Sequence, residues 1–244
     1  MKTKLLVPLL LCTCLCSAKQ LTDSLLYEGY MSEDLSNWTK YLQTNNFYTL
    51  PVKEQKNYLN YEYGYVPFSA DRKDPNSQQY LDTFWVHIEY LKPHLTQSEY
   101  TAFCCAANAF EYVIDKSKLF SCGLKSFKLA KQAVELDPNN PIALILKGNV
   151  YFHAPKAFGG NKQEAMEMFD KAEQLMRNDK RWKWSWNYPA IQLCIAQCLD
   201  KLGRKEEAWK KCETTMKEHP HFQFMSKTYM PDLKKRMEND KKNK

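Results

Sequence analysis

The sequence predicts an all-α chain of stacked antiparallel helical hairpins. Three observations carry that expectation. Ala165, Phe169 and Ala172 stand at i, i+4 and i+7, so they share one helix face, and a small–aromatic–small stripe lets two helices approach closely around one bulky group. Glycine is scarce, with 7 in 244 residues, which argues against a sandwich or barrel whose tight turns consume it. Proline-containing stops, Asp137-Pro138-Asn139-Asn140-Pro141 above all, punctuate runs of helical length.

Residues 1–18 stand apart from that unit. Lys2 and Lys4 precede an apolar run over residues 5–15, too short to span a bilayer as a helix. Cys16 and Ala18 put small residues three and one positions before a cut after Ala18. This reads as a secretory signal peptide. An uncleaved anchor is one alternative, and a lipoprotein, from Cys12, Cys14 and Cys16 near the cut, is another. The chain is therefore expected to be exported, to the periplasm first, with secreted or lipid-anchored forms next. In a eukaryotic secreted protein, Asn37-Trp38-Thr39 becomes a glycosylation sequon.

Loss of Lys2 and Lys4 with the leader leaves 33 basic residues against 28 acidic ones and lowers the net charge from +7 to +5. Much of the excess lies in the tail over residues 234–244. A solvated, fraying helix end explains such a tail, and peripheral contact with anionic lipid is the other role open to it. Export argues against nucleic acid as a partner. Six cysteines remain beyond the leader: Cys104, Cys105, Cys122, Cys194, Cys198 and Cys212. An even number in an exported chain permits disulfides. Adjacent Cys104–Cys105 and helical i, i+4 Cys194–Cys198 do not give easy disulfide geometry, so small buried thiols at helix-packing positions are expected. No CxxC pair exists and His219 and His221 have no cysteine nearby, so no metal site and no cofactor are expected.

The elements follow in order. Residues 21–44 suit a helical hairpin broken near Gly29 to Asp34. Pro51 fits a first helical turn, and residues 52–65, rich in tyrosine, form the next helix. Gly64, Pro67, Asp74, Pro75 and Asn76 mark residues 64–76 as a loop. Residues 77–91 form a helix that stops before Pro93, with His87 expected as a satisfied buried histidine. Thr96 and Glu99 make a capping box for the following helix, which carries an Ala102, Ala106, Ala109 stripe. Residues 116–123 interrupt, and residues 124–136 resume as a helix closed by Pro138 and Pro141.

From Pro141 onward the chain resembles a tetratricopeptide repeat (TPR) protein. Leu144, Gly148 and Tyr151 fall on first-helix positions of the 34-residue consensus, and Ala165, Phe169 and Ala172 on second-helix positions. Lys147 departs from the apolar consensus, and about five residues are inserted around 154–160. A further unit starts at Pro189, with Ala196 and Leu199, the turn LDKLGRKEEA over 199–208, then Ala208 and Pro220; Cys212 and Thr215 depart. Residues 180–188 precede it as a second insertion. A last helix over 224–239 closes the stack. The expected organisation is a signal peptide (1–18), N-terminal helical hairpins (19–121), TPR-like repeats (122–220), and a capping helix with a basic tail (221–244). The Pro-x-x-Phe-Gly-Gly insertion also resembles exported bacterial TPR proteins, including the T component associated with periplasmic TRAP-type solute transport.

No catalytic constellation is legible: GxSxG, HExxH, P-loop and dinucleotide fingerprints are all missing. No catalytic residue is therefore assigned, and the chain is expected not to be an enzyme. The resemblance implies a concave groove lined by first helices, facing Ile145, Asn149 and Phe152 in one unit and Leu193, Gln197 and Asp200 in the next. An asparagine amide donates and accepts at once, which suits an extended peptide. Trp182, Trp184 and Trp186, at period two in an extended segment, form an aromatic lip or fold down over the repeat junction. With Phe158, Gly159 and Gly160 they make the second candidate surface. The expected role is a scaffold that binds a protein or peptide. A solute-uptake accessory that holds an apolar small molecule is the alternative.

Overall fold

Side chains near the helix ends explain where the helices begin. Thr96 Oγ1 accepts from Glu99 N at 3.1 Å and the Glu99 carboxylate accepts from Thr96 N at 2.8 Å, the reciprocal box that satisfies two orphan donors. Asn140 Oδ1 accepts from Ile142 N at 3.0 Å, with Pro141 in the first turn. Asn161 accepts from Gln163 N and Glu164 N.

The computed structural model describes residues 22–242. It is all-α: among the described residues there is no strand. The helices are α1 (22–31), α2 (Ser36–Thr44), α3 (Val52–Asp71), α4 (Ser77–Leu91), α5 (Gln97–Ile114), α6 (Leu119–Leu136), α7 (Pro141–His153), α8 (Lys162–Arg177), α9 (Asn187–Lys201), α10 (Lys205–Glu218) and α11 (Met230–Lys242), the last preceded by a π-turn over Phe224–Tyr229. The signal-peptide expectation falls on residues outside those described.

Successive helices pack as pairs, most closely α5 with α6, α7 with α8 and α9 with α10, and α3 and α7 each also touch α5. Helices that touch both their sequence neighbour and the next but one form two layers, a helical-repeat-like arrangement compatible with an α-solenoid. The seam expected between α7 and α8 is present. Ala165, Phe169 and Ala172 are fully buried. A Cβ on Gly148 would stand 2.6 Å from Phe169 Cε1, so glycine there makes room for the ring. Asn140 ties three helices together, since its amide donates to Ser98 Oγ at 2.9 Å and that hydroxyl donates to Ala133 O at 2.8 Å.

Two boundaries differ from expectation. Helix α3 does not stop at Gly64 but runs to Asp71, with Pro67 inside it. Burial of Val66 and Ser69, at 1% and 2% exposure, outweighs the hydrogen bond that Pro67 cannot make. Gly64 serves packing rather than a turn: its Cβ would lie 2.7 Å from Trp38 Cζ3 and 2.8 Å from Trp186 Cζ2. Helix α6 likewise begins at Leu119, with Gly123 inside it, after a single 3-10 turn at Lys116–Lys118. His87 is buried, and its Nδ1 pairs with the Glu62 carboxylate at 2.8 Å.

Candidate binding cleft

The first-helix positions expected to line an open groove are largely covered by the chain itself. Ile145 and Leu193 are buried. The Asn149 amide donates to the Tyr63 hydroxyl of α3 at 3.2 Å. Phe152 is half-buried and carries the Lys162 ammonium, which also donates to the Phe152 carbonyl. Gln197 and Asp200 are half-buried, and Asp200 is paired with Arg236 of α11 at 2.9 Å. Helices α3 and α11 thus occupy part of the surface that the TPR indexing leaves to a ligand.

The three tryptophans do not share one side of an extended segment. Residues Lys180–Trp182 form a 3-10 turn, and Lys183 and Trp186 have helical backbone angles. Trp186 is buried, at 8% exposure. It meets Trp38, Tyr30 and Tyr63 with ring centroids 5.7, 5.5 and 5.5 Å apart. Trp184 packs edge-on against Tyr27 at 5.6 Å. Trp186 thus folds inward onto α1, α2 and α3. Trp182 and Trp184 remain half-buried and border a cleft.

That cleft has a volume of about 400 Å³. One wall is a polar face of α3: Lys53, Lys56, Asn57 and Asn60 stand at i, i+3, i+4 and i+7, adjacent on one helix surface. Phe103 of α5 and Ile142 at the start of α7 supply apolar area, and Trp182 and Trp184 face them from the 180–185 turn. Lys56 is paired with Glu99 at 3.1 Å and Arg181 with Asp179 at 2.5 Å. Lys53 and Lys180 also line the cleft, together with the Asp23 and Glu99 carboxylates. Asn60 donates to Asn187 Oδ1 at 2.8 Å, while its own Oδ1 is buried without a partner.

The other insertion lies elsewhere. Phe158 is half exposed and meets Phe120 of α6 edge-on at 5.7 Å. Gly159 has φ +88° and its Cβ would press on Phe127. Gly160 sits so close to the Ala154 carbonyl that no side chain fits. These glycines serve the α7–α8 turn, and Phe158 is not on the cleft wall.

The six cysteines among the described residues are free thiols. Burial pushes the Cys105, Cys198 and Cys212 thiols up to about 12, the opposite of nucleophilic activation. Among the described residues no group of three His, Cys, Asp or Glu side chains is placed to hold a metal ion. No helix among them is long and apolar enough to cross a membrane.

No family model, curated protein or solved structure matches this chain. The TPR likeness therefore stands on the residues that carry it.

Of the cleft's lining, Trp182 and Trp184 stand out in the sequence, whereas the opposite wall does not. Lys53, Lys56, Asn57 and Asn60 look like the solvated side of a tyrosine-rich helix. Their helical spacing was the available signal.

Proposed function

We propose that this chain is a non-catalytic, TPR-like scaffold that binds a segment of another protein in the cleft between α3 and the 180–185 turn. One observation carries the reading: two half-buried tryptophans stand opposite a polar helix face that carries Lys53 and Lys56. Aromatic and cationic side chains around a partly apolar recess are what protein-binding hot spots use. The leader-like residues 1–18 support export, with the periplasm as the destination.

A second reading remains attached to the same cleft. Its volume lies within the range of small-molecule sites, which favours a solute-handling accessory role like that of the TRAP-associated T component. Co-purification of the tagged full chain from its native cell envelope separates the two. The scaffold reading expects a stoichiometric protein that is retained by wild type and lost from a Trp182→Ala, Lys53→Ser double variant of unchanged helicity. A preparation that carries a small molecule and no protein supports the second reading instead. A protein retained equally by both forms overturns the cleft as its seat.

A further inference from the structure

A second pocket lies on another side of α3, among α2, α3 and α4, with a volume of about 170 Å³. Its wall contains Tyr58, Glu62 and Tyr65 at i, i+4 and i+7 of α3, joined by Tyr80 of α4. Leu42 and Val66 add apolar surface, and no lysine or arginine lines it. We propose that this pocket binds an ammonium group bearing small alkyl substituents, with the tyrosines as an aromatic cage and Glu62 as its counter-charge.

Each part of the cage is held in place. The Tyr58 hydroxyl donates to Leu42 O at 2.5 Å, and the Tyr65 hydroxyl is 3.0 Å from Thr39 Oγ1. Tyr80 stands edge-on to Tyr65 with ring centroids 5.2 Å apart. Glu62 is held from behind. His87 Nδ1 is 2.8 and 2.9 Å from its two oxygens, and the imidazole is stacked on Phe47 at 3.7 Å. An N–H donated by His87 leaves the Glu62 carboxylate further acceptor capacity toward the pocket.

A buried carboxylate is costly unless a positive group compensates it. Burial pushes the Glu62 carboxyl upward and the His87 hydrogen bond opposes that shift; a cation in the pocket would favour the charged form further. Tyrosine ring faces attract cations through the quadrupole, and alkyl substituents on nitrogen match the apolar remainder of the wall. A cation, unlike an anion or a neutral apolar molecule, would add to the compensation that His87 gives the Glu62 carboxylate.

The test is ligand-observed NMR titration of the full chain with choline, n-butylamine and 3,3-dimethylbutanol, the uncharged carbon analogue of choline. The proposal expects choline or butylamine to saturate the protein with millimolar affinity or better, and the alcohol to bind at least about tenfold more weakly. Choline preference points to a free quaternary amine as the natural ligand, and butylamine preference to a primary ammonium such as a lysine side chain. Glu62→Gln should weaken binding about tenfold. Because that change is buried, Tyr80→Leu at the half-exposed rim supplies a second check. It should weaken binding several-fold, and Tyr80→Phe should restore it. Equal binding of amine and alcohol, no saturation of folded protein at about 100 mM, or full affinity in both Glu62→Gln and Tyr80→Leu overturns the proposal.

Discussion

The Asn149 side-chain amide donates to the Tyr63 hydroxyl at 3.2 Å, linking α7 to α3 across 86 positions of sequence. In the repeat indexing Asn149 holds a ligand, whereas here its partner belongs to the same chain. Asn149→Ala should therefore lower unfolding free energy by about 0.5–1.5 kcal/mol in urea. Partner capture should be unchanged, even when Gln197→Ala is added. Full stability with lost capture would return Asn149 to a ligand-facing role.

Gly64 offers a sharper probe of the long-range packing. A methyl group there meets both Trp38 and Trp186 closer than 3 Å, and both indoles are buried. Overpacking of this kind costs about 1–3 kcal/mol, although alanine is the better helix former. Gly64→Ala should lower the urea midpoint and redshift the tryptophan emission. An unchanged midpoint would show that the α3–Trp186 contact is looser than described.

His219 makes stability depend on pH. It is buried, and its Nδ1 lies 2.6 Å from the Tyr27 hydroxyl. Burial lowers its pKa below the ordinary histidine value, while Glu218 and Glu173 oppose that shift more weakly. The unfolded chain therefore takes up the proton first as pH falls. Stability from this site is present above about pH 6.5 and is lost as pH drops from there toward the folded value. Denaturation curves between about pH 7.5 and 5 should show a steeper loss in wild type than in His219→Gln. Parallel curves would exclude His219 as the source.

Thiol reactivity should sort the cysteines. Cys105, Cys198 and Cys212 are fully buried with thiols near 12, and Cys122 is half-exposed. Reaction needs an accessible thiolate. Iodoacetamide at neutral pH, read by peptide mass spectrometry, should label Cys122 in the folded protein and the three buried thiols only after denaturation. Early labelling of Cys212 would show that the α9–α10 pair opens readily.

What was legible in the residues alone was local. Thr96 with Glu99, Asn140 with Pro141 and the Ala165–Phe169–Ala172 stripe announce helix starts and one helix seam because the interacting groups lie within two turns of each other. The all-α class follows from those signals. Gly64 and Pro67 carry the same local signature as a loop, yet they lie inside α3. The forces that decide this come from Trp38, Val66 and Trp186, and contacts made at long sequence separation leave no periodic mark. The same holds for both pockets. Lys53, Lys56, Asn57 and Asn60 become a wall only when the 180–185 turn arrives opposite them. Glu62 becomes a buried counter-charge only when α4 brings His87 and Tyr80 beside it. Helix propensity and capping act through the backbone near each residue, whereas a site needs side chains from several helices, and only packing brings those together.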